Sequence, residues 1–192
     1  MFGPPADSSP TTAKTPSMHI LRFRDAVYAR DGKTIVAAVN FDLALGEHMT
    51  RACGDAREAE ALAMMAAALA RATSGSVTIG EFDPRVQPVH CKHIAAFVPH
   101  DPLPLSQIDA ARYIGYRAAL WDIDPTAARA RAQHMYERLK GMHEAFAYPI
   151  VGALLPFPQL LVLDRPQAAF VPQILSAAAD CAVLIAQTTG ST

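Results

Sequence analysis

The sequence has 192 residues, 51% of them hydrophobic and 18% charged, with a formal net charge of −1. This length suits one domain with a real core, and the near-zero charge gives no electrostatic footprint for DNA, RNA or anionic lipid. The cysteines Cys53, Cys91 and Cys181 are too scattered for a disulfide framework and fit a reducing compartment.

Residues 1–17, MFGPPADSSPTTAKTPS, are rich in Pro, Ser and Thr and read as a flexible tail. They lack the basic start and apolar stretch of a signal peptide. The longest apolar run, 150–163, is broken by Pro156, Pro158 and Gln159 and is shorter than the roughly 18–20 residues that span a bilayer. The expectation is a cytoplasmic protein that meets a membrane only through a partner.

After the tail, His19 to Tyr28 alternates like a half-buried strand, and Asp31-Gly32 signals a turn. A second strand is expected over Val39 to Leu45. HMTRAC (48–53) stands where a buried parallel strand belongs, yet His48, Thr50 and Arg51 suit it poorly. An Ala-, Leu- and Met-rich helix is predicted from Asp55 to Arg71, then short strands at Val77–Ile79 and Ile94–Val98. Between them, His90-Cys91-Lys92-His93 carries zinc-type donors without a second ligand pair, and reads as a solvated loop.

Ser106 can cap a helix running to about Trp121, and Asp124 followed by Pro125 is a second cap with proline at the first helical position. In that helix Ala128, Ala132, Met135, Tyr136 and Leu139 share one face. A third helical stretch follows. LLVLD (160–164) is an apolar strand ending in an acid, 172–179 is helical, and 182–186 is another apolar strand. The order gives an α/β fold with an antiparallel β start, a mainly parallel central sheet and a helical insertion.

Three stretches carry a family resemblance. GEHMTRACGDAREAEALAMMAAALARATSGSVTIG (46–80), IAAFVPHDPLPL (94–105) and ALLPFPQLLVLDRPQAAF (153–170) stand in the order of a phosphate-loop region, a Q-loop region and a Walker B strand with its trailing proline. The chain therefore resembles the nucleotide-binding domain of ATP-binding cassette (ABC) transporters. This implies a P-loop NTPase-like domain over 18–192, with a shortened helical subdomain at about 102–150.

Position by position, the resemblance implies a degenerate nucleotide site. The first loop glycine falls on Cys53, the last on Glu58, the phosphate lysine on Ala59 and the magnesium-binding Ser/Thr on Glu60. The Q-loop glutamine is His100. The LSGGQ signature falls on Lys140-Gly141-Met142-His143-Glu144 without a match. The Walker B aspartate survives as Asp164, but Arg165 follows it in place of the catalytic glutamate. The D-loop aspartate falls on Val171 and the switch histidine on Thr188, beside Gln187. The adenine-stacking aromatic falls near Arg30, with Tyr28 on the same strand face.

A phosphate loop uses glycines so that backbone N–H groups reach phosphate, with lysine and Mg²⁺ offsetting its charge. Here Asp55, Glu58 and Glu60 crowd the helix start. A carboxylate about 5 Å from a phosphate charge costs roughly 3 kcal/mol at an effective dielectric near 20. Two such contacts cancel most of a micromolar affinity, about 8 kcal/mol. With Arg165 in the catalytic position, hydrolysis by the family mechanism is lost.

The expectation is a non-catalytic ABC ATPase-like subunit, without metal or cofactor, serving assembly or regulation of a membrane-associated complex. Its implied partners are an ABC permease, an active ABC ATPase subunit or a second copy of itself, met at the inner face of the membrane. His100, Leu103, Leu105, Tyr113 and Tyr116 are the implied docking residues. Arg165 is expected to pair with Glu58 or Glu60 and close the pocket. The alternatives are a subunit that retains weak ATP binding or hydrolysis, and a soluble scaffold unrelated to transport.

Overall fold

Two apolar strands, 160–164 and 182–188, set the architecture, because every other layer packs against one of their faces. The computed structural model describes residues 18–101 and 109–190. The chain runs β1 (His19–Arg30), β2 (Lys33–Ala44), β3 (His48–Cys53), α1 (Ala56–Ala66), β4 (Ser74–Ile79), α2 (Pro88–Ile94) and β5 (Ala95–Val98). It continues through α3 (Ala110–Leu120), α4 (Pro125–Arg138), α5 (Glu144–Leu154), β6 (Leu160–Asp164), α6 (Val171–Ala177) and β7 (Ala182–Thr188), with a 3-10 turn at Ala168–Phe170.

β3, β7, β6 and β5 form a parallel sheet in that order, and β2, β1 and β4 form an antiparallel one. Alternate residues of the central strands enter different cores, as the two-residue pleat requires. Leu160, Val162, Ala182 and Leu184 pack with α1 and the antiparallel sheet. Leu161, Leu163, Val183 and Ile185 pack with α3 to α6. This double burial explains why these strands read as unbroken apolar runs.

β3 was expected to be a poor buried strand, and the sheet order explains its composition. It is an edge strand among the described residues; His48, Thr50 and Ala52 are exposed, while Cys53 turns inward. β1 and β2 form a longer hairpin than the sequence suggested. Asp31 and Gly32, both at positive φ, make a two-residue turn that pairs Arg30 with Lys33. A bulge at Asp25 (φ 46°) is held by Asn40, which accepts from the Asp25 N–H at 2.9 Å and donates to its carboxylate at 2.7 Å. Gly75 crosses this bulge so closely that a Cβ would strike the Asp25 carbonyl.

The predicted 55–71 helix stops at Ala66. Leu69 N–H bonds the Met64 carbonyl at 2.8 Å and Ala68 N–H bonds that of Met65 at 3.2 Å, with Ala68 at φ 57°. These are the paired bonds of a Schellman stop, here with alanine in the place glycine usually takes. The loop expected at 90–93 is helical instead, being part of α2 with Pro88 in its first turn. Cys91 is buried there, His90 stacks on Phe82 and His93 meets Trp121 edge-on.

In the helical block Asp109 caps α3 by accepting from Arg112 N–H at 2.7 Å; Ser106, the expected cap, lies outside the described residues. Asp124 and Pro125 start α4 as expected. α5 contains Pro149 and is followed by Pro156 and Pro158, which cannot donate to the last helical carbonyls. Arg117 supplies donors to Gly152 O at 2.9 and 3.1 Å, and Arg131 one to Leu154 O at 3.0 Å. Among the described residues no helix is long and apolar enough to cross a membrane.

Candidate functional site

The carboxyl ends of the parallel strands bring most of the candidate residues together, the usual place for a ligand crevice in such sheets. Cys53 ends β3, Asp164 ends β6, and Gln187 and Thr188 end β7. His100 stands just beyond β5.

Only Gly54 and Asp55 separate β3 from α1, so most of the implied phosphate loop is helix. Asp55 caps that helix, its Oδ1 accepting from Glu58 N–H at 2.8 Å. Glu58 turns back, and its Oε2 accepts from Gly54 N–H at 2.6 Å. These reciprocal bonds are a one-residue variant of the capping box. Two of the N–H groups at this helix start, those of Gly54 and Glu58, are thus bonded to the chain's own carboxylates. Cys53 O is held by the N–H and hydroxyl of Thr189 at 2.8 and 3.2 Å.

Burial separates the remaining residues of this segment. Ala59, in the phosphate-lysine position, has no exposure and faces the core. Glu60 is exposed. The Cys53 thiol is buried, and burial first, then the nearby Glu58 charge, pushes it up to about 11. A thiol held neutral in this way is a poor nucleophile and a poor metal ligand.

Asp164 is the buried charged residue among those described, 4% exposed. Its oxygens accept a fork from Arg165, Nε at 2.8 Å and Nη2 at 3.0 Å. The expected pairing of Arg165 with Glu58 or Glu60 does not form. Glu58 is committed to Gly54, while Asp164 is adjacent and would otherwise be a buried, uncompensated carboxylate. The Asp164 hydrogen bond is the main reason the guanidinium holds its proton more tightly than usual, with smaller help from the Glu60 and Asp101 charges.

The Arg165 backbone is fixed as firmly as its side chain. It lies at φ 45°; its N–H bonds Ala186 O at 2.8 Å, and its carbonyl accepts from His100 Nδ1 at 2.8 Å. This bond places a proton on the His100 Nδ1. Contrary to expectation, the pocket is not closed. A cleft of about 490 Å³ remains, lined by Ala56, His100, Arg165, Gln167, Gln187 and Thr188. Gln187 Oε1 is shut off from solvent without a donor.

The other implied positions scatter. Lys140 to Glu144 forms the turn into α5, where His143 Nδ1 caps the helix by accepting from Ala145 N–H at 3.2 Å. Val171 begins α6, and Tyr28 is half-buried on β1. Of the implied docking residues, Tyr116 is 68% exposed, whereas Tyr113 turns inward and stacks on Tyr148. Leu103 and Leu105 lie outside the described residues. No group of three or more His, Cys, Asp or Glu side chains is placed to hold a metal among the described residues.

The residue-by-residue reading missed Gln167 and the bond from Gly54 to Glu58. The Asp55-x-x-Glu58 spacing was the available signal for the second. No comparable signal marks Gln167.

No protein-family model matches the sequence, and no curated protein matches it. Solved structures do match in shape. An ATP-binding subunit of an ABC transporter superposes with a TM-score of 0.70 at 15% identity, covering 88% of this chain and 79% of that one. The cbiO1 protein of Clostridium perfringens, part of the cbiONQ ABC transporter complex, gives 0.66 at 16%, covering 88% and 78%. An ATP-binding cassette of an ABC transporter in its ADP conformation gives 0.67 at 16%, covering 90% and 82%. With its parallel sheet, antiparallel sheet and strand-end cleft, the chain has the fold of an ABC transporter ATP-binding subunit.

Proposed function

We propose that this chain is a non-catalytic ABC ATPase-like subunit that serves assembly or regulation of a membrane-associated ABC-type complex. The self-capped start of α1 carries the reading. Gly54 and Glu58 N–H groups are bonded to Glu58 and Asp55 carboxylates, so an incoming phosphate meets negative charge where it needs donors. The acid that would activate water is replaced by Arg165, bound to Asp164. Partners consistent with the fold are a permease, an active ATPase subunit or a second copy, reached at the cytoplasmic face of the membrane.

Calorimetry with millimolar ATP and Mg²⁺ tests the nucleotide half of this reading, and no saturable heat is expected. A dissociation constant below about 100 μM, near −5.5 kcal/mol, would sink it. Mass spectrometry of the natively purified complex tests the partner half. Recovery of the chain alone and monomeric would favour a free-standing scaffold.

The open cleft favours a second reading, weak residual nucleotide binding. Its volume of about 490 Å³ suits a small ligand. The Asp55 and Glu58 carboxylates at the neighbouring start of α1 argue against a polyphosphate.

A further inference from the structure

At the opposite ends of the parallel strands lies a second cleft, of about 410 Å³, formed where Gln159 leads into β6 and Cys181 into β7. One of its walls is α4. Arg131, His134 and Arg138 are spaced three and seven residues apart, which puts them on one face over about 10 Å of helix. All three line the cleft, together with Leu154, Phe157 and the carboxylate-bearing Asp180.

Both arginines are held in place by backbone carbonyls, and Asp180 offsets Arg131 from a distance. Arg131 Nη2 donates to Leu154 O at 3.0 Å and Arg138 Nη1 to Ser176 O at 2.6 Å, satisfying carbonyls at the ends of α5 and α6. Helix capping accounts for one bond from each five-donor guanidinium. It does not account for two guanidiniums converging on one cleft. Neither forms an ion pair among the described residues.

Arg131 Nε is shut off from solvent with no acceptor. Burial lowers this guanidinium to about 10, which marks a charge held without full compensation; Cys181 and Asp180 offset it less. Phe157 covers the group with its ring, although the residue is 71% exposed and its backbone lies at φ 56°. A bulky residue held in the left-handed region at the rim of a cleft is a strained placement. It presents an aromatic face beside the cationic wall.

We propose that this cleft binds a small organic oxyanion, a carboxylate or phosphate ester with an aromatic body, its charge on Arg138, His134 and Arg131 and its ring against Phe157. The cleft volume fits a ligand of that size, and paired guanidiniums recognise planar or tetrahedral oxyanions by charge-assisted bonds. The site is separate from the cleft at the carboxyl ends of the strands and does not rest on the proposed subunit role.

The test is calorimetric titration of the full chain at low salt with phenyl phosphate, and with inorganic phosphate as the ring-less probe. Phenyl phosphate is expected to bind saturably at one site and more tightly than inorganic phosphate. Arg138→Gln weakens it about tenfold or more. Phe157→Ala removes the advantage of the ring, and Gln167→Ala, at an exposed position in the other cleft, leaves binding unchanged. Because Arg138 also caps α6, His134→Gln, at an exposed position, carries the same test, with a smaller loss expected. The proposal is overturned by absence of saturable heat with phenyl phosphate at about 10 mM. It is equally overturned by binding that survives both substitutions in folded protein, or that is lost with Gln167→Ala.

Discussion

Removing the Arg165 side chain tests the charge arrangement of the strand-end cleft directly. Its partner Asp164 has a side chain 3% exposed, and the guanidinium itself is 18% exposed. Deleting one member of a buried pair costs about 3–5 kcal/mol, because the other charge is left without compensation. The partial exposure of the arginine places Arg165→Ala near the lower limit, about 3 kcal/mol. For a chain of this size each kcal/mol lowers the melting temperature by about 2–4 °C, so a fall of about 6–12 °C is expected. Alanine is the proper replacement. Glycine would relieve the φ of 45° and mask part of the loss.

The sharper readout is rescue. If the loss is that of a stranded carboxylate, Asp164→Asn in the Arg165→Ala background removes the charge and recovers much of the stability. A cycle of both single variants and the double, followed by urea unfolding, measures this coupling. An Arg165→Ala variant melting within about 1 °C of wild type would refute the argument. So would a double variant whose loss equals the sum of the singles.

The remaining expectations concern the start of α1 and the buried thiols. Glu58→Ala frees the Gly54 N–H and costs about 1 kcal/mol, seen as a small shift of the urea midpoint with an unchanged slope. Ala59→Lys with Glu60→Thr, which restores the residues of the resemblance, does not restore ATP binding in calorimetry. It lowers stability by several kcal/mol, since position 59 has no exposure and would carry an ammonium into the core. Cys53 and Cys181 are both pushed from 9.0 to about 11, first by burial. The folded state therefore holds these protons longer than the unfolded one. The stabilisation is intact below about pH 9 and is lost as pH rises towards 11, by up to about 3 kcal/mol per thiol. Urea melts at increasing pH check this, and Cys181→Ala should flatten the decline.

Much of the fold was legible because it rests on burial. β6 and β7 are buried on both faces over 160–163 and 182–186, so those stretches are wholly apolar and turn polar only at Asp164, Gln187 and Thr188. The turn at Asp31-Gly32 and the cap at Asp124-Pro125 were legible because each residue type has one local geometry it favours. The misses have equally local causes. The end of α1 was extended to Arg71 because Ala68 takes the left-handed position without being glycine. α2 was read as a loop because its apolar contribution is concentrated in Cys91, while Lys92 and His93 face outward. β3 looked wrong for a buried strand because strand order, and hence its place at the edge, is not a local property.

The site shows where residue-level reading stops. Of its charged residues, Arg165 lines the cleft beside Asp164, while Asp55 and Glu58 cap the start of α1. Their partners are set by the bonds available at short range, not by charge between distant segments. Glu58 has a backbone donor four residues away, and Asp164 has a guanidinium in the next residue. Both choices avoid the entropy of bringing long side chains across open space. Their effect is to leave the two halves of the cleft separately satisfied: α1 by its own caps, and the end of β6 by its own arginine. Closure then gains little, which accounts for a cleft that stays open with no salt bridge across it. An anion entering it meets Gly54 and Glu58 N–H groups, and two of the Arg165 donors, already committed to carboxylates. That competition for donors, beside the missing glycines, is what supports the proposal that phosphate binds poorly here.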